Sequence, residues 1–561
     1  MKKHDLTPTN MIFLAALAAF FAAFLFYPLS HTFTHAFYVD GRFTLTFFKL
    51  MFTNPIQREA ILNSVKLGLV TTLATTLLSL PLAFMLVRVR FRGKGILSGL
   101  ILVPMVMPPF VGAIGMKQMF ARFGSINLLL IKLGIVDAPI DWFGGGGFVG
   151  VVIMEVLHLY PIMYLNVAAA LANVDPSLEE AAKNMGAGPL RLFRTITFPL
   201  MLPGYFAGAI IVFIWAFTDL GTPLIFDYSQ VVAVQIFNMV SDIHENPMGY
   251  ALVVVVILMT LLFFYLSKRF VGGRAYEMIS KGRAGAQERI ASGKMTLLIY
   301  ASVLTVTLIA LIPHLSVMLT SISERWFMSV LPEQITLKYY GKVFTHDLTL
   351  LSIRNSFFLS SLSTLADVLI GVTVAYLLTR KVFPGRNLMD SITMLPLALP
   401  GLVIAFGYVA GFSGTFLDAR NNPIPLLVIA YAIRRLPYMV RAAYAGFQQT
   451  SVVLEEASLN MGAGPARTFR KITFPLVLAN LVAGGILCFA FAMLEVSDSL
   501  ILAMKEQFYP ITKTIYVLLG RIADGPYIAS AMGMLGMALL TVSLMLAGKF
   551  LGKRMGELFR A

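Results

Sequence analysis

Charge, cysteine and histidine are all scarce in this chain. Asp, Glu, Lys and Arg make up 13% of its 561 residues, against 58% hydrophobic ones. With a mean hydropathy of +0.80, too little polar surface remains to cover a water-soluble globule. The only cysteine, Cys488, lies inside an apolar run, which excludes a disulfide and a thiol metal cluster. No Cys or His cage is present, so no resident metal is expected. The phosphate-cradling pattern G-x-x-x-x-G-K-[ST] is missing. Paired carboxylates, a His cluster or a nucleophile at a membrane edge are also missing, and the chain is not expected to be an enzyme.

What is present is a series of apolar runs of about 20 residues, the length a helix needs to cross a bilayer. Twelve are expected, at about 11–33, 61–87, 95–115, 148–172, 197–219, 249–267, 295–320, 356–379, 388–411, 424–448, 473–495 and 528–548. The fold class is therefore an all-α polytopic membrane protein. The first run follows Met1-Lys2-Lys3 but lacks a small-residue cleavage site, and it reads as a span rather than a signal peptide. The net charge of +16 reflects loop Lys and Arg more than affinity for nucleic acid. With the N-terminus inside, the first half carries 16 Lys and Arg in cytoplasmic loops against 6 outside, which predicts cytoplasmic N- and C-termini.

The chain repeats itself. Leu178–Leu200 and Leu454–Leu476, 276 residues apart, agree at 18 of 23 positions. Asn63-Ser64, Arg88, Gly93, Pro104, Pro108 and Gly115 recur at an offset of 292 as Asn355-Ser356, Arg380, Gly385, Pro396, Pro400 and Gly407. Two homologous six-helix halves follow, residues 1–271 and 295–561, in the same orientation. A basic, glycine-containing cytoplasmic linker, 272–294, joins them.

Each doubled segment, 175–199 and 450–475, is polar and lies between two spans. Asp175-Pro176 is a helix start, with an oxygen acceptor at the cap and a proline where no N–H is needed. Glu179 and Glu180 sit near the positive end of the helix dipole. Gly186-Ala187-Gly188-Pro189 ends the helix and lets a second begin. The expected product is a two-helix elbow on the membrane face. Retention of Glu, Gly, Arg and Phe in both halves points beyond a connector to a surface that meets a partner.

The pattern Glu180-Ala181-Ala182…Gly186…Ile196…Pro199, repeated as Glu456-Ala457-Ser458…Gly462…Ile472…Pro475, resembles the EAA motif of permease subunits of bacterial binding-protein-dependent ABC importers. The second copy departs only at Ser458. The resemblance covers nearly the whole chain and is greatest to fused permeases of the ferric-iron type. It implies the type I ABC importer permease fold in the bacterial inner membrane. It also implies two copies of a cytoplasmic ATPase that hydrolyse ATP, no cofactor held by this chain, and an external solute-binding protein. The coupling residues it implies are Glu179, Glu180, Ala181, Gly186, Gly188, Arg191 and Phe193, with Glu455, Glu456, Ala457, Gly462, Gly464, Arg467 and Phe469. Ferric iron is the expected substrate; thiamine, phosphonates, sugar phosphates, sulfate, polyamines or another small anion are the alternatives within the class. A proton-coupled twelve-span carrier is the alternative class, but its Gly-x-x-x-Asp-Arg loop is replaced here by Arg88–Lys94.

Ionisable groups within spans mark candidate pathway positions. His158 lies roughly 15 Å along its span at 1.5 Å per residue. Arg434 is its repeat partner, with Arg435 beside it, and Glu155 shares the face of His158. These would suit an anionic or anion-chelated substrate, or else Arg434 and Arg435 pair with Glu495 or Asp219, which close spans five and eleven. Asp227, Asp242 and Glu245 make the following loop acidic, which fits either a binding protein or the ordinary charge bias of exported loops. Pro104, Pro108 and Pro109, with Pro396 and Pro400, are expected to break spans three and nine.

Overall fold

A computed structural model describes residues 8–39, 41–144, 147–243, 246–272, 289–521 and 523–551. Most of the linker at 272–294, the two basic termini and Glu245 lie outside the described residues. The principal helices are α1 (Pro8–Phe37), α2 (Pro55–Arg88), α3 (Lys94–Val106), α4 (Pro109–Lys132), α5 (Phe148–Ala172), α6 (Pro176–Asn184), α7 (Phe198–Thr218), α8 (Met248–Gly272), α9 (Gly293–Ser321), α10 (Asp347–Arg380), α11 (Arg386–Ala398), α12 (Gly401–Gly411), α13 (Ile424–Gln449), α14 (Val452–Asn460), α15 (Phe474–Met493) and α16 (Gly525–Leu551). Strand pairing among the described residues amounts to Tyr38–Val39 with Arg42–Phe43, Val89–Arg90 with Arg289–Ile290, and one isolated bridge.

Among the described residues nine helices are long and apolar enough to cross a bilayer, or eleven if each bent pair is one span. The sequence predicts twelve. The difference is α13, whose 26 residues reach about 39 Å and suffice to span, but whose Arg434, Arg435 and Arg441 lower its apolarity. The spans expected at 95–115 and 388–411 are not single helices: α3 and α4 meet at 88°, α11 and α12 at 99°. Both breaks fall on the residue before an equivalent proline. Met107 (ψ 129°) and Leu399 (ψ 124°) are extended, because the ring of Pro108 or Pro400 disfavours helical geometry at the preceding residue.

The chain forms two compact units that cut across the repeat boundary. One contains residues 59–234 and 258–336, the other 8–58, 235–257 and 337–551 among the described residues. Each unit thus includes the opening helix of the other repeat. In the first, α9 packs on α4, and a Cβ at Gly115 would collide with the Pro313 carbonyl; Ser316 Oγ donates to the Gly115 carbonyl at 2.9 Å. In the second, α1 packs on α12, where Gly407 lies against Pro28, and Tyr408 and Tyr27 hydroxyls donate to the Phe24 and Gly411 carbonyls. Small residues allow such backbone approach where lipid supplies no hydrophobic drive between helices. The core of the first unit runs through Leu82, Leu86, Tyr160, Met163 and Val212. That of the second lies among Ala375, Met439, Phe447, Val477 and Leu481.

Candidate functional site

The two elbows fold as the sequence predicts, and the first carries the expected cap. Asp175 precedes α6 and accepts the Ser177 N–H at 2.9 Å, and these hydrogen bonds hold its carboxyl below the usual range. At the other end Gly186 adopts φ +83°; the Gly186 N–H reaches the Lys183 carbonyl and the Ala187 N–H the Ala182 carbonyl. This is a Schellman closure, which needs a left-handed residue. Gly462 (φ +86°) closes α14 in the same way, with the Ala463 N–H on the Ser458 carbonyl. A Cβ at either glycine would meet nothing in the chain. Each elbow joins its span through a π-turn, Phe193–Thr197 and Phe469–Thr473. The Phe198 N–H there reaches back to the Phe193 carbonyl, just before Pro199, which has no N–H to give.

The fourteen expected coupling residues divide into two groups. Glu179 and Glu455 face inward. Arg88, the last residue of α2, donates to Glu179 at 2.8 Å, and the Thr197 hydroxyl donates to the same carboxyl at 2.8 Å. Arg380, the last residue of α10, donates to Glu455 at 3.0 Å and to the Phe447 and Thr450 carbonyls. Phe193 packs edge-on against Phe84, and Phe469 against Tyr376. Phe84 and Tyr376 are themselves related by the 292 offset. These residues anchor the elbow to the preceding span, a role the motif alone does not reveal, although the recurrence of Arg88 as Arg380 is its signal.

Glu180, Ala181, Gly186, Gly188 and Arg191 are exposed, as are Glu456, Ala457, Gly462, Gly464 and Arg467. Beside them Met185 and Met461 are 87% and 83% exposed. Each elbow thus holds a large apolar side chain in the open beside charged neighbours, a surface suited to a partner. The single departure from the motif is accommodated internally: the Ser458 and Thr468 hydroxyls pair at 2.9 Å, where the first copy has Ala182 and Leu192.

Of the pathway candidates, His158 and Asp219 belong to one unit, and Arg434, Arg435 and Glu495 to the other. Asp219 accepts the Gly221 and Thr222 N–H groups, and the Thr222 hydroxyl donates to Glu155 at 3.1 Å. In the other unit Arg434 and Arg435 both donate to Glu495. Arg434 also lies 3.5 Å from Asp498, a residue absent from the sequence reading. The Tyr431 and Ser499 hydroxyls pair at 2.5 Å beside them. Asp227, in the acidic loop, is paired with Lys117 at 2.6 Å. Among the described residues no group of three or more His, Cys, Asp or Glu side chains could hold a metal ion.

Comparison with known proteins decides what the doubled elbow belongs to. The profile of the binding-protein-dependent transport system inner membrane component family matches twice, at residues 75–274 and 367–557. The chain belongs to this family. It is a permease of an ABC importer, a multi-pass membrane protein of a class that works with an ATPase and a substrate-binding protein. The ferric transport system permease protein FbpB of Actinobacillus pleuropneumoniae is 29% identical over 84% of the permease and 67% of that protein. A putative ferric transport system permease protein, FbpB 1, of Haemophilus influenzae is 28% identical over 86% of the permease and 76% of that protein. The molybdenum transport system permease protein ModB of Escherichia coli is 32% identical over 32% of the permease and 74% of that protein. The family match and these relatives are transport proteins, not enzymes.

Proposed function

We propose that this permease imports ferric iron and is driven by two copies of a cytoplasmic ATPase, one on each elbow, with iron delivered by an external solute-binding protein. The observation that carries the coupling role is the duplicated elbow. Both copies tie one glutamate inward to an arginine at a span end and leave the next glutamate, a methionine and the capping glycine exposed. ATP is bound and hydrolysed by the partner, and closure of the two ATPases rocks the elbows against each other. The elbow face and both termini lie on the cytoplasmic side of the inner membrane, following the distribution of Lys and Arg. Ferric iron rests on the likeness, over 84% and 86% of this chain, to permeases named for ferric transport. The arginines that favour an anion from sequence are matched by Glu495 and Asp498, which removes the reason to prefer an oxyanion.

The test is extraction of the permease from its own cells under gentle detergent, with identification and stoichiometry of what accompanies it, alongside radio-iron uptake. Two ATPase copies per chain, lost in the Glu180→Ala, Glu456→Ala double variant, are the expected result. Absence of an ATPase together with uptake that follows a proton gradient would instead establish a secondary carrier.

A further inference from the structure

The break between α3 and α4 holds an arrangement that the coupling role does not use. His158 on α5 and His314 on α9 are 9% and 7% exposed, deep in the same unit. Both helices pack against the Val103–Val106 turn just before the break, and α5 packs on α9; the Pro104 carbonyl is an electrostatic neighbour of both rings, as are the Met107 carbonyl for His158 and the Ala310 carbonyl for His314. Despite this proximity, Nδ1 of His158 and both ring nitrogens of His314 make no well-directed hydrogen bond within the chain. Buried polar groups are ordinarily satisfied, and each exception asks for a reason. Broken helices place backbone carbonyls where ordinary helices hide them, and in transporters such breaks line ion sites.

The repeat makes the position more telling. Arg434, the equivalent of His158, sits at the other break, where a Cβ on Gly401 would run into its guanidinium. Both repeats therefore aim this position at a broken helix. Of the two side chains only imidazole can donate a lone pair to a metal, because a guanidinium has none to give.

We infer that His158, His314 and the carbonyls of the α3–α4 break form a coordination site for a first-row transition-metal ion, which under the ferric-iron reading is the transported iron. Imidazole nitrogen suits iron, cobalt, nickel and zinc, and carbonyl oxygens complete the shell. Two neutral imidazoles without a carboxylate make a weak site. That is what conduction requires, since an ion must leave as readily as it enters.

The test uses the full-length permease, purified without a polyhistidine tag and titrated with Co2+ while its visible d–d absorption is followed. One saturable Co2+ per chain is expected. His158→Gln and His314→Gln should each weaken binding about tenfold or more, as loss of a ligand does, and His346→Gln should leave it unchanged. Variants that fail to fold are replaced by His314→Cys, which should add a thiolate charge-transfer band. No saturable binding, binding that survives both glutamine variants, or a His314→Cys spectrum without that band overturns the site. Radio-iron uptake by cells separates this from the substrate reading. Wild-type cells that take up no iron while Co2+ still binds at both histidines overturn the iron assignment alone. Normal uptake by wild type and both variants without Co2+ binding overturns the site alone.

Discussion

The same corner is built twice in this permease, and its two versions carry opposite chemistry. Where α7 ends, Asp219 accepts two backbone N–H groups and Glu155 accepts from Thr222, with no arginine paired to either among the described residues. Where α15 ends, Glu495 is gripped by Arg434 and Arg435 and backed by Asp498. Glu155 corresponds to Tyr431, His158 to Arg434 and Thr222 to Asp498 at the 276 offset. The elbows, by contrast, keep their anchoring pair, capping glycine and π-turn in both copies. Duplication has kept the elbow, its inward anchor included, and has let the corner where α7 and α15 end diverge.

Removing one charge from each corner should break this comparison most visibly. Glu495→Gln leaves two largely buried guanidinium groups under-paired and should cost about 3–5 kcal/mol. Asp219→Asn keeps one acceptor oxygen for the shorter Thr222 N–H contact and gives up the longer one to Gly221, and should cost about 1 kcal/mol. Thermal unfolding of the two purified variants checks this, and equal losses would mean that the corners are electrostatically alike after all.

The elbows should respond more nearly alike. Arg88→Ala frees Glu179, which keeps only the Thr197 hydroxyl, while Arg380→Ala loses Glu455 and two carbonyls together. A loss of about 1.5–3 kcal/mol of local stability is expected for the first and a larger one for the second. Measured as ATPase activity stimulated by the permease, both variants should fall, Arg380→Ala further. A fall confined to one would mean that the two elbows are not equivalent grips.

Next in size is the capping glycine. Gly186→Ala and Gly462→Ala strain a left-handed residue by roughly 1 kcal/mol without a clash, because nothing in the chain lies near the added Cβ. The aspartate variants impose the same strain and add a charge on the exposed face. If the face docks an ATPase, Gly186→Asp and Gly462→Asp should uncouple uptake far more than alanine does, with the membrane fold intact. Unchanged uptake in both aspartate variants would refute the role given to the elbows.

Much of this was legible in the sequence, for reasons that differ by feature. Apolar length announces the spans, and turn chemistry at Asp175-Pro176 and Gly186 announces the elbow, since both are local. The inward turn of Glu179 and Glu455 was not legible, because adjacent carboxylates on a short helix look alike until Arg88 and Arg380 arrive from elsewhere in the chain. Pro108 and Pro400 signalled a break, but not bends of 88° and 99°, which depend on what packs across them. Nor could periodicity place α9 with α4 and α1 with α12. That assignment rests on backbone approach at Gly115 and Gly407, and small residues are common throughout such helices. His314 escaped notice because its partner His158 lies 156 residues earlier, on a different repeat.

The smallest expected effect concerns the one cap that differs between the elbows. Asp175 caps α6 with its side chain, whereas Ser451 caps α14 without a side-chain hydrogen bond. The Asp175 carboxyl is held below its ordinary value, so its contribution is complete above the unfolded-state value of about 3.9 and is lost as pH falls through the lower folded value. Amide protection in α6, the exchange rate relative to the intrinsic rate at each pH, should therefore fall on acidification below that range, while α14 shows no matching step. Asp175→Ser should abolish the step and make the two elbows titrate alike. A step of equal size in α14 would overturn the assignment of the effect to the Asp175 cap.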